Sequence, residues 1–197
     1  MSHTFDKEHW KGSVLTAPLP PALVSCGTPE EPNVLTVAWT GVLCTRPPVT
    51  YISVRPERYS HDIIKRTGEF VINLPVKELV RAVDLCGVKS GRDTDKFALT
   101  GLTAVASAEV GAPSVAECPV SLECRVREVI PLGSHDMFTA DIVSVGAAKE
   151  LIDGKGRLAL EKAGLLAYSH GAYFSLGEQL GTFGYSVRKS SKRRKRR

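Results

Sequence analysis

Short apolar stretches, rich in β-branched residues and broken by proline or glycine, dominate the hydrophobic pattern of the chain. "PALVSCGT", "NVLTVAW", "VTYISVRP", "EFVINLP", "LTAVASAEV", "PVSLECRVREVIPL", "MFTADIVSVGAAKEL" and "AYFSLG" each read as a strand. Helical spacing fits in three places, Tyr59 to Thr67, Lys77 to Leu85 and a short turn from Asp95 to Leu99. Gly68 stands where a left-handed C-cap residue would stop the first. Strands this numerous, without a regular βαβ rhythm, predict a mainly β domain: one antiparallel barrel with a few helices packed outside it.

The segment "PNVLTVAWTG", from Pro32 to Gly41, carries polar groups at strand spacing. Alternation sends Thr36, Ala38 and Thr40 to one face and Leu35, Val37 and Trp39 to the other. Two readings stay open. The polar side is an exposed strand face, where threonine is a good β-former, or it is the seat of a flat ligand whose ring approaches the backbone over small side chains. Two further segments bear on the choice. "RPERYSHDIIKRTGEFVINLP" places Arg55, Arg58 and Ser60 before or at the start of a helix, and "VKSGRDTDKF" adds Ser90, Gly91, Arg92, Lys96 and Phe97. A helix N-terminus beside hydroxyls and guanidinium groups suits a phosphate. No P-loop and no G-x-G-x-x-G is present, so a phosphate would be held in another way.

Composition narrows the classes. A chain of 197 residues with 43% hydrophobic residues can bury a core of its own. The net charge of +5 points to nucleic acid until it is localised. "RKSSKRRKRR", Arg188 to Arg197, holds eight basic residues and no acid; without it 18 basic residues face 21 acidic ones, about −3. Residues 190–197 are therefore expected to be a solvated basic tail, and residues 1–189 one domain. With no aromatic residue interleaved for base stacking, nucleic acid is not the expected partner of that tail. The polar start "MSHTFDKEHWKG" lacks the apolar block of a secretory signal, and no run is long enough to cross a membrane. Five cysteines without a C-x-x-C read as free thiols, and no metal site is expected. The expected compartment is the cytoplasm.

"NVLTVAWTG", "RPERYSHDIIKRTGEFVINLP", "SGRDTDKF" followed by "TGLT", "GSHDMFTADIVSV" and "HGAYFSLGEQLGTFGYSVRK" together resemble, in order from about residue 15 to residue 189, the flavin reductase-like family and its flavoredoxin-like branch. The resemblance implies an FMN-binding split β-barrel, antiparallel and of Greek-key type with peripheral helices, assembled as a homodimer with the flavin near the subunit boundary. It aligns Asn33, Thr36, Ala38, Trp39 and Thr40 with the segment along the isoalloxazine ring. Ser53, Arg55, Arg58, Tyr59 and Ser60 align with the segment near the ribityl chain and phosphate. Ser90, Gly91, Lys96 and Phe97 align with the loop over the site. His135 matches a histidine found at this place in the family, with Ala140 and Asp141 where a small residue and a glutamate usually follow.

On this reading the cofactor carries the redox chemistry, and no catalytic side chain is assigned. His135 and His170 are expected in the core or at an interface, and Tyr173, Phe174, Phe183 and Tyr185 are expected to contribute to the dimer contact. Two functions remain: an NAD(P)H-dependent flavin reductase, or an electron carrier that keeps FMN bound between protein donors and acceptors. A binding module using the fold for another ligand is the third reading.

Overall fold

The computed structural model describes residues 4–188. In chain order the elements are β1 (Ala22–Gly27), β2 (Pro32–Val37), β3 (Thr40–Thr45), β4 (Pro48–Val54), α1 (Tyr59–Thr67), β5 (Glu69–Leu74), α2 (Val80–Val88), α3 (Lys96–Thr100), β6 (Ala104–Val105), β7 (Ser114–Val115), β8 (Val120–Pro131), β9 (Asp136–Ala147), β10 (Leu166–Ser169) and β11 (Ala172–Ser175). Seven of the strands form one sheet in the order β2-β1-β5-β8-β9-β4-β3, and every neighbouring pair is antiparallel.

That order makes the sheet a barrel. β2 and β3 are its two edges, yet only Ala38 and Trp39 separate them in the chain, so the sheet must roll until its edges nearly meet. The seam is not zipped by a ladder between the edge strands. On the β3 side the pairing with β4 runs one rung past Thr40, where the Trp39 carbonyl accepts from the Ser53 backbone N–H at 2.9 Å. The barrel is thus split between β2 and β3, and Thr36 to Trp39 together with Ser53 to Arg55 at the end of β4 line the opening there.

Period-2 patterning fills both faces of the sheet. Ala22, Val24, Cys26, Leu35, Val37, Ile52, Phe70, Ile72 and Phe138 pack inside the barrel. Leu23 and Val34 point out under the helices, against Ala82, Val83, Cys86 and Phe97. Gly68 caps α1 at φ 71°, as its sequence position predicts, with its N–H on the Ile64 carbonyl. Gly87 faces Thr36 where α2 lies against β2, and a Cβ there would sit in ordinary contact with that side chain, at 3.4 Å.

The expected elements are corrected in four places. Lys77 to Leu79 is a tight helical turn, and the α-helix after it runs on to Val88 because Cys86 extends its apolar face. "LTAVASAEV" contributes only the two residues of β6. The amides of Ala108 and Glu109 donate instead to the buried Glu123 carboxylate, at 3.1 and 2.6 Å, which turns an apolar run into a loop. β9 stops at Ala147, before a turn at Lys149–Leu151. β3 and β10, which sequence reading left unassigned, are a barrel edge and half of a hairpin. All five cysteines are free, four of them buried. No helix among the described residues is long and apolar enough to cross a membrane. The basic tail expected at 190–197 lies outside the described residues.

Candidate functional site

A cleft follows the barrel seam and has two adjoining lobes that share Leu35, Thr36, Arg55, Arg58 and Gly87. The wider lobe, about 450 Å³, is walled by the seam crossing (Thr36, Ala38, Trp39), by Ser53 and Arg55 at the end of β4, by Asp84 of α2, by His135, and by Tyr168 and Tyr173 of the β10–β11 hairpin. The narrower lobe, about 180 Å³, is walled by Arg55, Arg58, Tyr59 and Ser60 at the start of α1 and by Lys89, Ser90, Gly91 and Lys96. One lobe is aromatic and more open; the other is cationic and more enclosed.

The narrow lobe has the anatomy of an anion seat. Arg58 is the N-cap residue of α1, in extended geometry and without a side-chain cap, so the first-turn N–H groups are left uncapped by any side chain. Ser60 is the second residue of the helix, where its buried hydroxyl accepts from Asn33 Nδ2 at 2.5 Å. Lys96 is only 5% exposed. Among the described residues its Nζ has one hydrogen bond, a long one of 3.5 Å to the Cys86 carbonyl. Burial holds its pKa below the ordinary lysine value; the neighbouring Cys86 and Cys26 raise it, and Arg58 lowers it further. A buried ammonium with so little compensation favours a negative partner.

The wide lobe is built differently. Trp39 stacks at a tilt on His135, with ring centroids 4.5 Å apart. His135 sits at the tip of the β8–β9 hairpin, where the Leu132 N–H donates to its carbonyl at 2.9 Å. Burial, then the Arg55 guanidinium, holds the His135 imidazole below its ordinary pKa. Opposite, Tyr173 Oη donates to Asp84 at 3.4 Å, and burial followed by the Asp84 charge pushes the phenol up to about 12. This wall can contact a planar ring on its aromatic side and leave another side open.

Of the fourteen residues singled out in the sequence, eleven line the two lobes: Thr36, Ala38, Trp39, Ser53, Arg55, Arg58, Tyr59, Ser60, Ser90, Gly91 and Lys96. Asn33 stands behind them as a brace for Ser60. Thr40 does not join Thr36 on a common polar face. β2 ends at Val37, the Thr36 hydroxyl bonds the Val83 carbonyl of α2, and the Thr40 hydroxyl bonds the Tyr51 carbonyl at 2.6 Å. Phe97 packs in the cluster beneath α2 and lines neither lobe. His135 is a cleft residue and not a core one, while His170 is exposed at φ 47° in the two-residue turn between β10 and β11. Of the C-terminal aromatics, Tyr173 packs inward, whereas Phe174, Phe183 and Tyr185 are exposed. Asp84, Gly87 and Tyr168 were not foreseen. They converge from α2 and from a late hairpin, and the one local sign was the turn-forming "SHGA" between two aromatic runs.

Comparison with known proteins agrees with this geometry. The Flavin reductase like domain matches residues 15–177. A protein of Archaeoglobus fulgidus is 37% identical over 138 residues, which is 70% of this chain and 77% of that protein. Among solved structures, the flavoredoxin of Desulfovibrio vulgaris (Miyazaki F) is 29% identical with a TM-score of 0.86, covering 93% of this chain and 100% of its own. An FMN-binding protein from Thermus thermophilus, solved with bound 1-cyclohex-2-enone, is 26% identical with a TM-score of 0.74, covering 92% and 99%.

Proposed function

The chain belongs to the flavin reductase-like family, and from that premise we propose that it is an FMN-binding oxidoreductase that accepts electrons from NAD(P)H. The observation that carries the reading is Lys96, a buried cation whose sole hydrogen bond among the described residues is long, opening into a lobe beside the uncapped start of α1. Lys96, Arg58, Ser90 and the first-turn N–H groups of α1 would hold the terminal phosphate of FMN. Ala38 and Thr36 offer a low wall for the ring, while Trp39 and His135 close one side of it against water. Arg55, at the junction of the lobes, favours negative charge on either side. FMN, when bound, supplies hydride acceptance and one- or two-electron transfer.

A second reading, a carrier with permanently bound FMN and protein partners, is favoured by the likeness to flavoredoxin over 93% of the chain. Anaerobic addition of NADH and NADPH to the purified protein separates the two. Bleaching of a yellow protein within seconds supports the reductase, whereas bleaching only by dithionite or a protein donor supports the carrier. A colourless protein that cannot be reconstituted with FMN overturns both.

In our reading the protein is also a cytoplasmic homodimer. Val42 on β3 and Leu180 and Phe183 near the C-terminus are exposed at 72%, 89% and 105%, which gives a second copy apolar surface to cover. Sedimentation as a monomer at micromolar concentration with FMN bound would refute the dimer.

A further inference from the structure

One cation beside the cleft is not used by this account. The loop between α2 and α3 crosses in front of the start of α1, and Arg92 fastens it there. Its Nη1 donates to the Glu57 carbonyl at 2.8 Å, and its guanidinium carbon lies 5.6 Å from the centroid of the Tyr59 ring. The same residue's backbone N–H donates to the Ser90 hydroxyl at 3.2 Å. Under this clasp the loop lies flat on its support. A Cβ on Gly91 would meet Asn33 Oδ1 at 2.3 Å and the Tyr59 ring at 2.7 Å, so no side chain fits between loop and wall. Beyond the wall runs an open, charged trough of about 630 Å³ that includes Glu30, Arg66, Asp93 and Asp95. Tyr59, Gly91 and Lys96 border both the trough and the narrow lobe, so the partition between the two spaces is one residue thick.

We propose that Arg92 is a specificity-determining clasp: by pinning the Ser90–Arg92 segment to Glu57 and Tyr59 it ends the cleft at the terminal phosphate, so that FMN is retained and FAD is refused. The inference rests on the reading of the cleft as an FMN seat. FAD continues from that phosphate into a second phosphate and an adenosine, and on this proposal the extension would pass through the partition into the trough. The partition has a fixed part and a fastened part. Asn33 is buried and bonded to Ser60, whereas the loop is held from its outer side by one exposed arginine. A guanidinium suits the task because its plane can lie against the tyrosine ring while an edge N–H reaches the carbonyl; an ammonium cannot do both. Arg92 acts through the loop and is a positioning residue.

The test uses full-length protein loaded with FMN, and compares it with Arg92→Ala and Arg92→Lys. Release of FMN is followed by its fluorescence on dilution, and affinities for FMN and FAD are measured by titration of the flavin-free protein. Losing a hydrogen bond from a charged donor predicts FMN release roughly tenfold faster in Arg92→Ala, with the preference for FMN over FAD shrinking by a similar factor. Arg92→Lys should fall between the two. A wild-type release rate, or faster release with an unchanged FMN-to-FAD preference, overturns the proposal. An unaltered protein that takes up neither flavin removes the cleft reading and the clasp with it. An unaltered protein that binds FMN while the Arg92→Ala result is negative removes the clasp alone.

Discussion

The two lobes of the cleft share five residues and differ in almost everything else. The narrow lobe is held from behind at each wall: Asn33 fixes Ser60, Arg92 fixes the Ser90–Gly91 loop, and burial fixes Lys96. The wide lobe is assembled from extremities. Trp39 is on a two-residue crossing, His135 on a hairpin tip, and Tyr168 and Tyr173 on a two-stranded hairpin tied to the body by the Leu19–Tyr168 and Val76–Leu165 bridges, by burial of Leu166 and by the long bond to Asp84. A preorganised, enclosed seat yields affinity, because little ordering remains to be done on binding. An open seat with aromatic walls yields access, which a ring exchanging electrons with other molecules requires. On the proposed reading the narrow lobe would retain the flavin and the wide lobe would leave its ring open to reaction.

The largest effect is therefore expected at Lys96. Lys96→Met removes a charge-assisted contact to phosphate and should weaken FMN binding about ten- to hundredfold. Without flavin the same change should leave thermal stability unchanged or raised, because methionine fills a similar volume without the desolvation of an ammonium. Fluorescence titration and thermal unfolding of the flavin-free protein check both halves. Unchanged affinity, or a clear loss of stability, would erase the contrast between a lobe built for an anion and one built for packing.

The pH dependence sharpens the same point. Burial depresses the Lys96 pKa in the folded protein, so the unfolded chain holds that proton more tightly and stability must rise with pH through the interval between the two values. The stability deficit of the unaltered protein relative to Lys96→Met is full below the folded pKa. It should shrink as pH rises through that value towards the ordinary lysine range. Bound FMN phosphate favours the charged lysine and should flatten the dependence. Unfolding series at stepped pH, with and without FMN, measure the difference; a deficit that grows with pH would contradict the sign.

Much of the narrow lobe was legible in the sequence, because two contiguous stretches build most of it. Arg55 to Ser60 runs into a helix that begins and ends where its pattern and Gly68 say it does, and Ser90 to Lys96 is a polar loop. Phe97 went astray there, and Thr40 did so in the segment expected along the ring. Strand alternation was carried past Val37, where the chain leaves β2 to cross the seam, and Phe97 sits next in sequence to Lys96 but faces the other way, under α2. The wide lobe was less legible because its walls are brought together by barrel closure. Neither Asp84 nor Tyr168 carries a local mark of a site. The apolar run at 102–110 misled for a related reason: a buried carboxylate 14 and 15 residues further along takes the amides that a ladder would have used.

A smaller effect on binding, and a different kind of effect, is expected at the wide lobe. Trp39→Ala deletes the ring that stacks on His135, and aromatic contacts of this kind correspond to about two- to tenfold in affinity. Its main consequence should fall on reduction: anaerobic mixing with a nicotinamide or protein donor should show a changed rate at saturating FMN. A loss of FMN affinity as large as that of Lys96→Met, with reduction unaltered, would dissolve the division between retention and reactivity.

The smallest effect tests whether the narrow lobe is self-contained. Every cation assigned to it lies between Arg55 and Lys96, whereas the excess positive charge of the chain lies at its end. Deleting Ser190 to Arg197 removes six charges and takes the formal net charge from +5 to −1. FMN affinity should stay within about twofold, since a change below roughly 0.5 kcal/mol is what distant surface alterations produce. Salt-sensitive retention on a polyanion column should disappear, because exposed charges act over only about 8 to 10 Å at moderate ionic strength. If the shortened protein instead lost FMN, a cation from beyond residue 189 would have to serve the phosphate, and Lys96 would no longer suffice as the anchor that separates one lobe from the other.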